Sequence, residues 1–277
     1  MLKRRIPKIR FHRSYLTFPY MAVSVIFVIV PILLILIYAF TDADGGASFS
    51  VFKERLSDAG TWKTLARSFI IATATTAVCL LLAYPTALAL SSVKSSKRTV
   101  ILMLFIMPMW INSLLRLFAV KLFMVDLFHM DRGFALTLIG MVYDFFPFML
   151  LPIYTVLTDM DKGVIEASYD LGASPVETFF KVRLPLSVPG IVSGVLMVFM
   201  PTVSSFAVFD IMGKDSGKEF MNGKLFGNLI FQYFKCPGGY NSGSVLALVL
   251  LILILLSTAL SNYFTKGKGS RKGGTIV

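Results

Sequence analysis

Charge is scarce in this chain. Only 15% of its 277 residues are Asp, Glu, Lys or Arg, whereas 56% are hydrophobic, and the mean hydropathy is +0.76. A soluble domain of this length carries more charge. Acidic residues are the rarer kind, 15 against 27 Lys and Arg. A net charge of +12 would suit nucleic acid in a soluble protein, but in so apolar a chain it belongs to membrane faces, and no nucleic-acid partner is expected. Cysteine and histidine occur twice each. Cys79 falls in an apolar segment and Cys236 in a loop, so neither a disulfide nor a metal site is expected. His12 and His129 lie outside the apolar runs, and no His-Glu-x-x-His segment exists for a zinc hydrolase. The Walker A pattern Gly-x-x-x-x-Gly-Lys-Ser/Thr is also missing, and "KGKGSRKGGT" near the C-terminus reads as a basic tail. No linker, low-complexity stretch or soluble catalytic module interrupts the sequence.

What remains is a series of apolar runs at or above the roughly 20 residues that cross a bilayer as a helix. Six are expected, over 17–40, 65–91, 99–124, 134–158, 187–211 and 244–264. The fold class is therefore all-α, a polytopic membrane protein, read as one transmembrane domain over 1–277. A barrel would show alternating segments of about ten residues instead. The basic start "MLKRRIPKIRFHRSY" resembles a signal peptide, but the run after it is too long and "YAFTDADGG" is a poor cleavage site, so a retained first helix is expected.

Lys and Arg set the orientation. With the N-terminus inside, the inner segments hold 16 of them: six in residues 1–16, then Lys94, Lys97, Arg98, Lys162, Lys181, Arg183, Lys266, Lys268, Arg271 and Lys272. The outer loops hold eight. Both termini are expected on the cytoplasmic side. The loop 159–186 then faces the cytoplasm.

That loop contains "EASYDLGASPVETFFKVRLPLSVPG" at 166–190. Val164, Ala167 and Leu171 fall three and four apart and share one helical face, while Glu166 and Asp170 share a polar one. Gly172 suits a left-handed stop. Ser174, Pro175 and Glu177 make a capping box with proline at the first helical position. The second helix is expected to end before Pro185. The loop carries five acidic and three basic side chains, which argues against a lipid-surface helix, usually basic. It reads as two short helices, bent at Gly172–Ala173, presented to a soluble partner.

Glu166-Ala167-Ser168, then Gly172, then Val182-Arg183-Leu184-Pro185 keeps every spacing of the EAA loop. The chain thus resembles the permease subunits of binding-protein-dependent ABC importers. "MPMWINSLLRLFAVKLF", "IGMVYDFFPFMLLPIYTVLTDMDKGVIEASYDLGAS" and "GKLFGNLIFQYF" look like the spermidine/putrescine branch, the PotB type, over about residues 15–265. The outer loop at 125–133 is shorter than such permeases often carry. The resemblance implies a type I importer permease fold in a bacterial inner membrane. It implies a second, homologous permease, a cytoplasmic ATPase dimer and an extracytoplasmic binding protein as partners. ATP and magnesium would be bound by the ATPase, with no cofactor in this chain. Glu166, Ala167, Ser168, Asp170, Leu171 and Gly172 would form the ATPase-coupling surface. There Glu166 would pair with a basic residue, and Ala167 and Leu171 would fill an apolar groove.

For the substrate path, ionisable residues within spans are the first suspects. Asp144 lies ten residues past Phe134, about 15 Å deep at 1.5 Å per residue. With Tyr143, Phe145 and Phe146 it offers an acid among aromatics, suited to an alkylammonium chain. The structural alternative pairs it with a basic residue of another span. Asp210, at the end of span five, could attract a cation or touch the binding protein, or be merely solvated. Trp110 is a further path candidate, although an aromatic there is more often packing. Asn112 is expected to bond another helix, and Arg116 to snorkel outward.

Polyamine import is the favoured reading, with iron, sulfate or thiamine as alternative cargo. An intramembrane aspartyl protease would need a second Gly-x-Gly-Asp carboxylate, which is missing. A secondary transporter would not need the EAA loop.

Overall fold

The computed structural model describes residues 17–42, 46–93, 95–214 and 223–269. The basic N-terminal segment 1–16 and the tail 270–277 lie outside them. Thr17–Ser24 (α1) passes through a π turn at Val25–Ile29 into Val30–Ala39 (α2). A short helix Ser50–Ser57 (α3) leads to Ala59–Ser92 (α4), capped by Asp58, whose carboxylate accepts from Gly60 N at 2.9 Å and Thr61 N at 3.1 Å. Then come Ser95–Ile106 (α5), a 3-10 turn at Met107–Trp110 and Ser113–Leu122 (α6), which runs into a π turn at Phe123–Leu127. Phe134–Asp159 (α7), Lys162–Asp170 (α8) and Pro175–Thr178 (α9) follow. A π turn at Phe179–Arg183 joins α9 to Leu184–Ser204 (α10). Ala207–Met212 (α11), Phe226–Lys235 (α12) and Tyr240–Gly269 (α13) complete the chain.

Among the described residues, five helices are long and apolar enough to cross a membrane: Pro19–Ala39, Ala59–Ser92, Phe134–Asp159, Pro175–Ser204 and Tyr240–Ala259. The expected third span is not straight. It breaks into Lys97–Trp110 and Ser113–Leu127, bent by 99°, and makes a sixth crossing only as a broken span. Pro108 ends regular hydrogen bonding, Ile111 is extended, and Asn112 restarts the helix by capping Leu114 N at 2.9 Å. Asn112 therefore bonds its own helix rather than another.

The centre of the protein is the packing of α4, α7 and α10 on one another. Gly190 and Gly194, one turn apart on α10, let it approach α7 closely. A methyl group on Gly190 would sit 2.8 Å from the Pro152 carbonyl, and one on Gly194 2.7 Å from Met149 Sδ. This is the small-residue contact that membrane helices use in place of a hydrophobic driving force. Cys79, Ala83 and Ala87 of α4 pack on Met149, Leu150 and Ile153 of α7, all fully buried. Tyr84 and Ser187 share a buried hydrogen bond of 3.1 Å between α4 and α10.

The fifth span starts earlier and stops sooner than its hydropathy implies. Pro185 does not end the preceding helix, which runs from Pro175 to Ser204. The π turn widens the backbone just ahead of Pro185, with Leu184 N bonding Phe179 O five residues back, and so makes room for the ring. The same device precedes Pro31, where Val30 N bonds Val25 O. At the other end, Ser205 is extended and α11 sets off separately.

The stretch 212–243, expected as an outer loop, contains α12, whose Phe226, Gly227 and Asn228 are buried. Arg55 of α3 donates to Tyr233 Oη at 2.8 Å and Ser242 Oγ at 3.2 Å, tying α3 to α12 and α13.

Candidate functional site

The loop after α7 has the expected local build. Asp161 caps α8 by accepting from Gly163 N at 2.9 Å. Gly172 takes φ +83°, in the left-handed region open to glycine, and its amide bonds Tyr169 O at 2.8 Å while Ala173 N bonds Ser168 O at 3.0 Å. Ser174 and Glu177 complete the capping box in both directions. Lys181 Nζ adds an ion pair to Glu177 at 3.2 Å.

Of the loop residues, Glu166, Ala167, Asp170, Leu171 and Gly172 are exposed. Leu171 is 89% exposed and Val176 65%, which leaves aliphatic surface without a partner among the described residues. Ser168 differs: it is buried, bonds Ile165 O at 2.7 Å and shares a hydrogen bond of 2.9 Å with Thr178 Oγ1. It braces α8 against α9. The loop is thus one free helix, α8, hinged on a second that is the start of the fifth span.

In the broken third span the predicted residues meet differently from expectation. Arg116 does not snorkel. It is 7% exposed and donates from Nη2 to Asp144 Oδ1, forming an ion pair between α6 and α7. Its Nη1 donates at 2.7 Å to the Pro108 carbonyl, which also accepts from Ile111 N at 3.2 Å in the 3-10 turn. Its Cζ lies 5.9 Å from the centre of the Tyr143 ring. The structural alternative for Asp144 is therefore realised. Tyr143 also lines an apolar cavity of about 640 Å³ with Phe105, Pro108, Phe146 and Pro147. Trp110, at the bend, is 83% exposed.

Asp210 is set apart from this group. Its carboxylate accepts from Asn228 Nδ2 of α12, and its carbonyl accepts from Arg132 Nη2 at 3.2 Å. Sequence reasoning missed Asn228, which is fully buried. The available signal was the helical periodicity of "LFGNLIFQYF", hidden in a segment taken as a loop.

Comparison with known proteins places this geometry. The family model described as "Binding-protein-dependent transport system inner membrane component" matches residues 80–269. The spermidine/putrescine transport system permease protein PotB of Haemophilus influenzae is 32% identical over 257 residues, covering 84% of this chain and 86% of that protein. PotB of Escherichia coli K12 is 31% identical over 264 residues, covering 87% and 95%. Among solved structures, a chain of a bacterial alginate ABC transporter, in complex with an alginate pentasaccharide-bound periplasmic protein, superposes with a TM-score of 0.75. Its identity is 11%, with 95% of this chain and 96% of that one covered, so the likeness is one of fold.

Proposed function

Because this chain belongs to the inner membrane components of binding-protein-dependent transport systems, we propose that it imports polyamines as one of two permease subunits. It is a multi-pass transport subunit rather than an enzyme. The observation that carries the cargo is the similarity to spermidine/putrescine permeases at 31–32% identity over more than four fifths of the chain.

In this reading the second permease completes the path, and an external binding protein delivers the cation. ATP and magnesium act in a cytoplasmic ATPase dimer. The exposed edge of α8 enters that ATPase, with Glu166 facing a basic group and Leu171 an apolar groove. What supports this is the build of the loop: a capped helix with unpartnered aliphatic surface, hinged at Gly172 and braced by Ser168–Thr178 onto a helix that continues to Ser204. Movement of the docked α8 is passed to α10, and so to the α4–α7–α10 packing. That is the two-state coupling of alternating access. Both termini face the cytoplasm.

Asp144 and Tyr143 border the path, with Trp110 on the exposed side of the bend and Asp210 towards the other end. Arg116 holds Asp144 neutralised as a pair, so a cationic substrate would compete with a resident guanidinium rather than meet a free carboxylate.

The test is uptake of radiolabelled spermidine and putrescine into vesicles holding the complete importer and its binding protein. ATP-dependent uptake of either supports the proposal. Uptake of iron, sulfate or thiamine in its place overturns the cargo and leaves the importer class standing.

A further inference from the structure

Among the described residues, four buried side-chain nitrogen or oxygen atoms have no hydrogen-bond partner. One is Nε of Arg116. The other three, Nε of Arg98, Nε of Arg183 and Oγ1 of Thr158, belong to residues that line one cavity of about 650 Å³. These three atoms are themselves closed to solvent, but their residues bring two arginines and a threonine to one cavity. Neither Arg98 nor Arg183 has an ion pair within the described structure.

The cavity is charged to match. Arg98, Arg183 and Lys162 line it against a single acid, Glu166, and Ser91 and Ser92 add hydroxyls. Leu88, Leu157 and Met160 make the rest of the wall apolar. Its place in the fold is equally specific. Arg98 is the fourth residue of α5, just before the apolar run. Arg183 lies two residues before Pro185 at the start of another, and Thr158 is the penultimate residue of α7. All three therefore stand where spans leave the bilayer, on the membrane face that carries α8. Arginine forks at headgroup depth, over an apolar wall, fit a phosphodiester with its lipid attached.

We propose that this cavity holds the phosphate of an anionic phospholipid, wedged between the root of α8 and the ends of α4, α5 and α7. The lipid would fix the angle at which α8 leaves the membrane. The site does not depend on the cargo, and it shares Glu166 with the proposed docking edge of α8.

The experiment is native mass spectrometry of the full-length chain, purified in mild detergent and titrated with phosphatidylglycerol or phosphatidylcholine. Phosphatidylglycerol should bind ~tenfold more tightly than phosphatidylcholine, and Arg98→Gln or Arg183→Gln should each weaken it about tenfold. Arg98→Lys and Arg183→Lys keep charge and bulk, and should lose only a few-fold if the glutamine variants misfold. Millimolar inorganic phosphate should leave the lipid adduct in place. Equal binding by wild type and the double glutamine variant overturns the proposal, as does equal binding of the two lipids. Displacement by inorganic phosphate assigns the cavity to a soluble anion and overturns it as a lipid site.

Discussion

Arg116 of the broken third span and Asp144 of α7 face each other, so that one guanidinium neutralises an acid of α7 and adds a second donor to the Pro108 carbonyl at the break. The break and the ion pair are one feature. Without Arg116 the carbonyl of Pro108 loses a donor inside the membrane, and without the break Arg116 would sit elsewhere along the helix. The pair therefore fixes the shape of the third span as well as the charge of the fourth.

Removing one partner of a buried ion pair leaves an uncompensated charge, at about 3–5 kcal/mol. Arg116→Met should accordingly lower the thermal midpoint of the detergent-solubilised protein more than Asp144→Asn, because it also removes the charged donor from the Pro108 carbonyl and leaves it only Ile111 N. The double variant should be less destabilised than the two singles added together. A strictly additive double variant in the melting data would mean that the two side chains do not interact.

Glu166→Lys inverts a charge on the exposed edge of α8 and touches no hydrogen bond among the described residues. It should leave folding and expression unchanged, and abolish copurification of the ATPase together with transport. Wild-type recovery of the ATPase on the affinity column, with wild-type uptake, would remove Glu166 from the docking surface.

Gly190→Ala puts a methyl group 2.8 Å from the Pro152 carbonyl, where backbone has to move. Overpacking of this kind costs about 1–3 kcal/mol. Gly172→Ala meets no atom within 4 Å, but must hold φ +83°. The first variant should lower global stability in a melt. The second should leave the melt close to wild type and speed amide exchange at Tyr169–Ala173. Similar exchange profiles for the two would contradict the division.

Asp58 caps the second span from outside it. Hydrogen bonds from the Gly60 amide first, then from Thr61, hold its carboxyl below the usual carboxylate range. A depressed folded value stabilises above the unfolded value, ~3.9, and the contribution fades as pH falls through the folded one. Asp58→Ala should therefore lower stability by about 1 kcal/mol at neutral pH. The difference between variant and wild type should shrink below about pH 4. A gap that persists at pH 3 would assign the effect to packing.

The local parts of this molecule were legible because their signals lie within a few residues. Ser174–Glu177 and Gly172 each act on backbone three positions away, and each forms the cap or turn that its residue type demands. Arg116 and Asp144 are 28 positions apart, and a straight third span lets Arg116 snorkel outward, whereas the broken one turns it onto α7. Pro108 was visible, but a proline alone does not state the angle of a kink. Pro185 misled in the opposite sense, because a π turn absorbs it and nothing in "FFKVR" announces one. Asn228 escaped because its segment falls between two expected spans, and α12 has only ten residues, too few to cross a bilayer.

The uninterrupted helix from Pro175 to Ser204 has a mechanical consequence. Thirty residues at ~1.5 Å each make a rod of about 45 Å. If one end pivots, each degree of tilt displaces the other by ~0.8 Å, from the same length. The Ser205 break bounds that stroke, because α11 and Asp210 are anchored separately on α12. The end of the rod also rests on α12, where a methyl group on Gly227 would collide with the Ser204 carbonyl, so whatever pushes near Ser174 is geared to the helix that holds Asp210.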